Sequence, residues 1–167
     1  MQTIYLVAGK TGAGKTYYAK QLADTEKALL LVLDEWMETL FVPDMDSSKG
    51  PDYKWMLERI ARAESVMWDV AASVLHAGKS VVMEVSMSSK AQRSQQAERA
   101  KNSGGKLQIV FVDAPQEVRR QRVATRNHRS DNALSYQVTP EMFNFVEELY
   151  EDLDATELTD VLVVNNL

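Results

Sequence analysis

The octapeptide GKTGAGKT, Gly9 to Thr16, constrains this chain more than any other stretch. It matches the pattern G-x-x-x-x-G-K-[S/T] at every fixed position, and its flanks fit the mechanism behind that pattern. Residues 4–8, IYLVA, are short, β-branched or aromatic, and apolar on both faces, as a fully buried strand requires. Residues 16–24 read as a helix in which Ala19, Leu22 and Ala23 can pack. In a turn between strand and helix, glycines let successive backbone N–H groups point inward around a phosphate, and the helix N-terminus adds partial positive charge. The expectation is therefore a nucleoside triphosphate held by Gly9, Lys10, Thr11, Gly12, Ala13, Gly14, Lys15 and Thr16. Lys15 would reach the β and γ phosphates and the Thr16 hydroxyl would ligate magnesium. The competing reading, a chance glycine-rich turn, leaves the matched strand and helix unaccounted for.

Four more short apolar runs, at 28–33, 80–85, 107–112 and 161–164, alternate with helical stretches and predict an α/β domain with a mostly parallel sheet. At 167 residues, 45% hydrophobic and 26% charged, the sequence 1–167 fits one domain with a substantial core. The clearest helix is 53–76, where Met56, Ile60, Ala63, Met67, Val70 and Val74 line one face and Gly78 is placed to end it. Ser89 with Gln92 forms the pattern of a capping box, and Thr139-Pro140-Glu141 sets a capping hydroxyl, a first-turn proline and an acid in order. The polar stretch 127–137 between two predicted helices is a candidate lid, with an ordinary surface loop as the alternative.

The formal charge of −5 argues against whole-protein attraction to nucleic acid or anionic membrane, although a short single strand needs only a local site. No cysteine occurs, and His76 and His128 are too few and too far apart for a metal motif, so catalysis would rest on carboxylates, lysine and arginine. The apolar run near the N-terminus is too short for a signal-peptide core or a membrane span, and a cytoplasmic protein is expected.

The stretch LLLVLDEW, residues 29–36, ends a strand on Asp34 and Glu35, as the magnesium-binding strand of many ATPases does. Here Asp34 stands only 18 residues after Thr16, one helix beyond the loop, which is too early for that role. Glu84, after the long helix, is the better placed acid for the magnesium shell. Asp34 is then free to act at the C-terminal edge of the sheet, where open α/β folds hold ligands, by accepting the proton of an attacking hydroxyl. Its alternative role is the N-cap of the helix that follows, and Glu35 is a substitute for it as base. An oligomeric ATPase motor is not expected, since only three residues follow the last predicted strand.

In order and spacing, GKTGAGKT, LDEW, EVSMSSKAQR, DAPQEVRRQRVATRN and VTPEMF resemble P-loop kinases of the AAA-like group, relatives of polynucleotide kinase, zeta toxin and chloramphenicol phosphotransferase. The resemblance covers nearly the whole chain. It implies a three-layer P-loop NTPase domain with a five-stranded parallel sheet in order 2-3-1-4-5 and a short helical lid at about 119–137. It further implies Asp34 as base, Glu84 as the acid supporting magnesium, and Arg122 with Arg126 as the lid arginines holding the transferring phosphate. It also matches Arg93 to an arginine that meets acceptor or phosphate. The sequence departs from the family pattern where Glu84 replaces an Asp and Ser88 stands in place of a Trp.

The arginines carry an argument of their own. Five of the nine, Arg119, Arg120, Arg122, Arg126 and Arg129, fall within eleven residues, with no acid between Glu117 and Asp131. On a helix Arg119, Arg122 and Arg126 share a face, where like charges repel, and a bound polyphosphate would relieve that repulsion. The alternative is pairing with acids from elsewhere, for instance Glu147, Glu148 or Glu151, and for Arg120 with Glu117.

These readings converge on a kinase using ATP and Mg2+ to phosphorylate a hydroxyl of a small-molecule or nucleotide-type acceptor, with Asp34, Lys15, Arg122 and Arg126 catalytic and Thr16 and Glu84 at the metal. Trp36, Phe41, Tyr53 and Trp55 are candidates for an acceptor pocket between the second strand and the long helix, with packing as the favoured alternative for most of them. The rival expectations are an ATPase or nucleotide-dependent switch, and a binding module whose kinase site has lost its chemistry.

Overall fold

A computed structural model describes residues 2–45, 52–127, 138–158 and 161–167. Five parallel strands form one sheet in the order β2-β3-β1-β4-β5: β1 (Thr3–Ala8), β2 (Leu29–Val32), β3 (Val81–Glu84), β4 (Lys106–Asp113) and β5 (Val161–Asn165). The α-helices are α1 (Lys15–Glu26), α2 (Leu33–Leu40), α3 (Tyr53–His76), α4 (Lys90–Asn102), α5 (Gln116–Asn127) and α6 (Pro140–Leu149). The three-layer P-loop architecture and its strand order are thus as expected.

Alternation along the strands builds two cores. From β1, Ile4, Leu6 and Ala8 face a larger cluster with Ala63, Met67, Ala71 and Leu75 of α3, while Val7 faces a smaller one with Ala19 and Ala23 of α1. All four residues of β3 are buried, so the strand reads as a continuous apolar run until Glu84.

The predicted long helix is found at Tyr53–His76, with Asp52 as an N-cap accepting from the Trp55 N–H at 3.0 Å. Gly78 follows with φ +77°, its N–H returning to the Leu75 carbonyl at 2.9 Å. The capping box of Ser89 and Gln92 is complete, and Thr139 caps α6 with Pro140 in its first turn. Residues 128–137, the greater part of the expected lid with His128 and Arg129, lie outside the described residues.

Register places the acids. Val32, the last residue of β2, pairs with Glu84, the last of β3, and the chain turns directly into α2. Asp34 therefore enters the first turn of a helix beside the end of β3. The N-cap position is Val32 and no side chain caps this helix, so the capping role for Asp34 is not adopted.

Candidate active site

The phosphate loop leaves β1 at Gly9 and enters α1 at Lys15. Two of its glycines are required by close approach in left-handed backbone. At Gly12 (φ +79°) a Cβ would sit 2.6 Å from the Arg119 carbonyl oxygen, and at Gly14 (φ +93°) 2.3 Å from the Asn166 side chain. The loop is held from outside. The Asn166 side-chain amide donates to the Ala13 carbonyl at 2.8 Å, and the Arg122 guanidinium donates to the same carbonyl at 3.3 Å and to the Asn166 carbonyl at 3.2 Å.

Inside the loop, Lys15 Nζ donates to the Lys10 carbonyl at 3.3 Å and stands 3.9 Å from Glu84 Oε1. The Thr16 hydroxyl donates to Glu84 Oε2 at 2.8 Å. Glu84 is buried, and burial pushes its carboxyl above the usual range while Lys15 and Thr16 pull it back down. Lysine, hydroxyl and carboxylate, brought together from positions 15, 16 and 84, form the floor of a cleft of about 350 Å3. Asp34 enters this cleft from α2, Arg122 and Arg126 from α5, and Val138, Met142 and Val146 from the chain entering and forming α6. Among the described residues the Nε of Arg126 is buried without a hydrogen-bond partner. Among the described residues no group of three or more His, Asp or Glu side chains could hold a metal by itself. A hard ion there would need phosphate and water oxygens beside Thr16 and Glu84.

Other cations are committed elsewhere. Arg119 is buried and forks onto Glu147 with two contacts of 2.7 Å, besides donating to the carbonyls of Ala114 at 2.9 Å and Thr11 at 3.3 Å. This is the pairing alternative raised for it, and Arg119 and Lys10 together hold the carboxyl of Glu147 below its usual range, Arg119 the more strongly. The Lys10 side chain turns away from the loop interior to Asp152 at 2.8 Å and Glu147 at 3.4 Å. Arg120 lies over the Phe143 ring, 5.2 Å from its centroid. Arg93 is enclosed by Glu157, at 2.6 and 3.0 Å, and by the carbonyls of Glu151 and Asp152. It pins the segment before β5 to α4 and does not line the cleft.

Glu35 pairs with Lys20 at 2.9 Å. Trp36 and Phe41 pack against the larger core, the Trp55 ring lies under Arg59 at 3.9 Å and Tyr53 is exposed; none of the four lines the cleft. Sequence reasoning missed Asn166 and the apolar cleft residues Val138, Met142 and Val146. The run of Met142, Phe145, Val146 and Leu149 along α6 is the signal that could have exposed the latter.

Residues 4–148 match the family model described as AAA domain. No curated protein is significantly similar to the chain. Among solved structures, a Chloroflexus aurantiacus protein assigned as a kinase by inference is 20% identical with a TM-score of 0.70, over 98% of this chain and 88% of that one. A gluconokinase from Sinorhizobium meliloti is 19% identical with a TM-score of 0.65, over 98% and 82%. Kti12 of Chaetomium thermophilum, solved in complex with ADP-AlF3, is 19% identical with a TM-score of 0.66, over 97% and 88%. At these identities the likeness is one of fold, and a family match across most of the chain carries the assignment: the chain belongs to the AAA domain family.

Proposed function

We propose that the chain is an ATP-dependent phosphotransferase that moves the γ-phosphate of Mg-ATP to a hydroxyl of a small-molecule or nucleotide-type acceptor. The observation that carries the reading is the convergence of Lys15, Thr16, Glu84, Asp34 and Arg126 on one cleft. In this reading residues 1–167 act as one kinase-like unit, with the lid spanning about 119–137.

The loop amides and Lys15 hold the β and γ phosphates. Thr16, whose hydroxyl hydrogen is already given to Glu84, keeps its lone pairs for magnesium, and Glu84 supplies the compensating negative charge. A magnesium ion bound there neutralises phosphate charge. Asp34 takes the proton of the attacking hydroxyl. Arg126, with donor capacity to spare, faces the transferring phosphoryl group, and Arg122 combines a place at the cleft with its hold on the loop carbonyl. Catalysis is then positioning and electrostatic stabilisation, with no covalent intermediate on the protein.

The test is Asp34→Asn. Phosphate transfer should fall by roughly 10²- to 10⁴-fold while Mg-ATP affinity stays within a few-fold. Undiminished transfer would remove Asp34 from the chemistry.

A further inference from the structure

We propose that Glu64 is a positioning residue for the magnesium site, holding the backbone just beyond Glu84 through a buried chain of hydrogen bonds that requires one carboxylate; this rests on the reading of Glu84 given above.

The bonds run from α3 through α4 to the end of β3. The Trp68 indole N–H donates to Gln96 Oε1 at 2.8 Å, Gln96 Nε2 donates to Glu64 Oε2 at 3.0 Å, and Glu64 Oε1 accepts the Ser86 N–H at 2.8 Å. Arg99 stands 3.8 Å from Glu64 Oε2. Glu64 and Gln96 keep only 7% and 1% of their surface exposed, so bulk water does not stand in for a lost partner. The last pairings of β3 in the sheet are Met83 with Leu6 and Glu84 with Val32. Beyond them Val85 and Met87 are buried in the larger core, and the Ser86 N–H between them is fixed by Glu64. Glu84 is thus set between the sheet on one side and this bond on the other, with its carboxylate on the Thr16 hydroxyl at 2.8 Å and 3.9 Å from Lys15.

Counting donors shows why position 64 carries an acid. Both ends of the chain of bonds, an indole N–H and a backbone N–H, can only donate. The indole takes the oxygen of Gln96 and so turns its NH2 group toward Glu64. Position 64 then meets an N–H on each side, and a carboxylate accepts at both oxygens where an amide accepts at one. In Glu64→Gln the new NH2 group faces either Gln96 or the Ser86 N–H, whichever way it turns, and flipping Gln96 moves the mismatch to Trp68. Buried donors left unmet are costly, and the backbone at Ser86 is one of the places that can yield. Exchanging the two residues, Glu64→Gln with Gln96→Glu, satisfies the count again. The carboxylate at position 96 accepts from Trp68 and from the amide at 64, whose oxygen still accepts the Ser86 N–H. Only the 3.4 Å bond from Gln96 to the Ser86 carbonyl is given up.

The experiment titrates Mg2+ by calorimetry into the full chain saturated with the β,γ-imido analogue of ATP, with thermal melts alongside, and needs no turnover. Glu64→Gln should weaken Mg2+ binding roughly tenfold, and the exchanged pair should return it to within about threefold of wild type. A merely structural role lowers the melting temperature and leaves Mg2+ affinity where it was. Wild-type Mg2+ affinity in Glu64→Gln, or an exchanged pair as weak as the single variant, overturns the inference alone. Should Glu64→Gln fail to fold, the exchanged pair decides by the same measure: affinity near wild type supports the inference, and a tenfold loss overturns it. Glu84→Gln is the control for the reading beneath it. Mg2+ affinity unchanged there removes Glu84 from the metal site, and this inference with it.

Discussion

At the residue scale, Glu84 concentrates the site's electrostatics. Its carboxylate is buried beside the Thr16 hydroxyl and near Lys15, with Asp34 and Glu35 close enough to oppose its charge. Burial raises its folded-state pKa, so between its ordinary value of 4.5 and that raised value the folded state binds more protons than the unfolded one. Its contribution to stability therefore falls as pH rises through that window. Glu84→Gln should be the more stable protein at neutral pH, by a margin that opens as pH rises above about 4.5 and then levels off, while phosphate transfer is lost. Thermal melts of both proteins across pH check this; a margin that shrinks with rising pH contradicts it. Gly12 gives a second residue-scale prediction. Alanine at φ +79°, with its Cβ 2.6 Å from the Arg119 carbonyl oxygen, forces the loop to move. Left-handed backbone alone costs a non-glycine residue about 1–2 kcal/mol, so Gly12→Ala should weaken Mg-ATP binding roughly tenfold or more by calorimetry. Lys15, Thr16 and the glycines were legible in the sequence because they form one contiguous motif whose spacing is the mechanism. For Arg119 the sequence left pairing with Glu147 only as the alternative to binding phosphate, and the commitment of Arg93 was not legible, because Glu157, the partner that absorbs its charge, stands 64 residues away.

At the scale of the element, the helices were legible where local chemistry decides. Helix α3 has the predicted bounds, since a sustained apolar stripe and a terminal glycine need no tertiary information. The capping box at Ser89 and the Thr139-Pro140 start of α6 are likewise local. Helix α2 shows the limit: Asp is a favoured cap, yet the pairing of Val32 with Glu84 carries the chain into the helix two residues early and leaves Asp34 inside the first turn. Tertiary register overrode local preference there. The segment between α6 and β5 is held by long-range contacts: Glu157 to Arg93, Asp154 to Lys90, and the Glu151 N–H to the Ser88 carbonyl at 2.9 Å. Arg93 is buried, so Arg93→Ala leaves Glu157 without its partner and strips donors from two carbonyls. The expected loss is about 3–5 kcal/mol of unfolding free energy, measured in denaturant; a loss under about 1 kcal/mol contradicts the pinning role.

At the scale of the whole molecule, the α/β class and the parallel sheet followed from five short apolar runs alternating with helices, although the last of them, β5, holds no buried residue. Their order followed only from the family resemblance, since identical apolar runs carry no address. The sheet brings the ends of β1, β2 and β3 to one edge, which is why residues as distant as Lys15, Asp34 and Glu84 share a cleft. Arg122 and Arg126 reach the same cleft from α5, beyond β4. Among the described residues no helix is long and apolar enough to cross a membrane. The measurement that bears most directly on the central claim is the fate of label from γ-labelled Mg-ATP, in wild type and in Lys15→Ala, with a panel of hydroxyl compounds present. The account predicts label on an alcohol acceptor in the wild type, with transfer abolished in Lys15→Ala. Label appearing solely as inorganic phosphate, or transfer that survives the loss of Lys15, would contradict it.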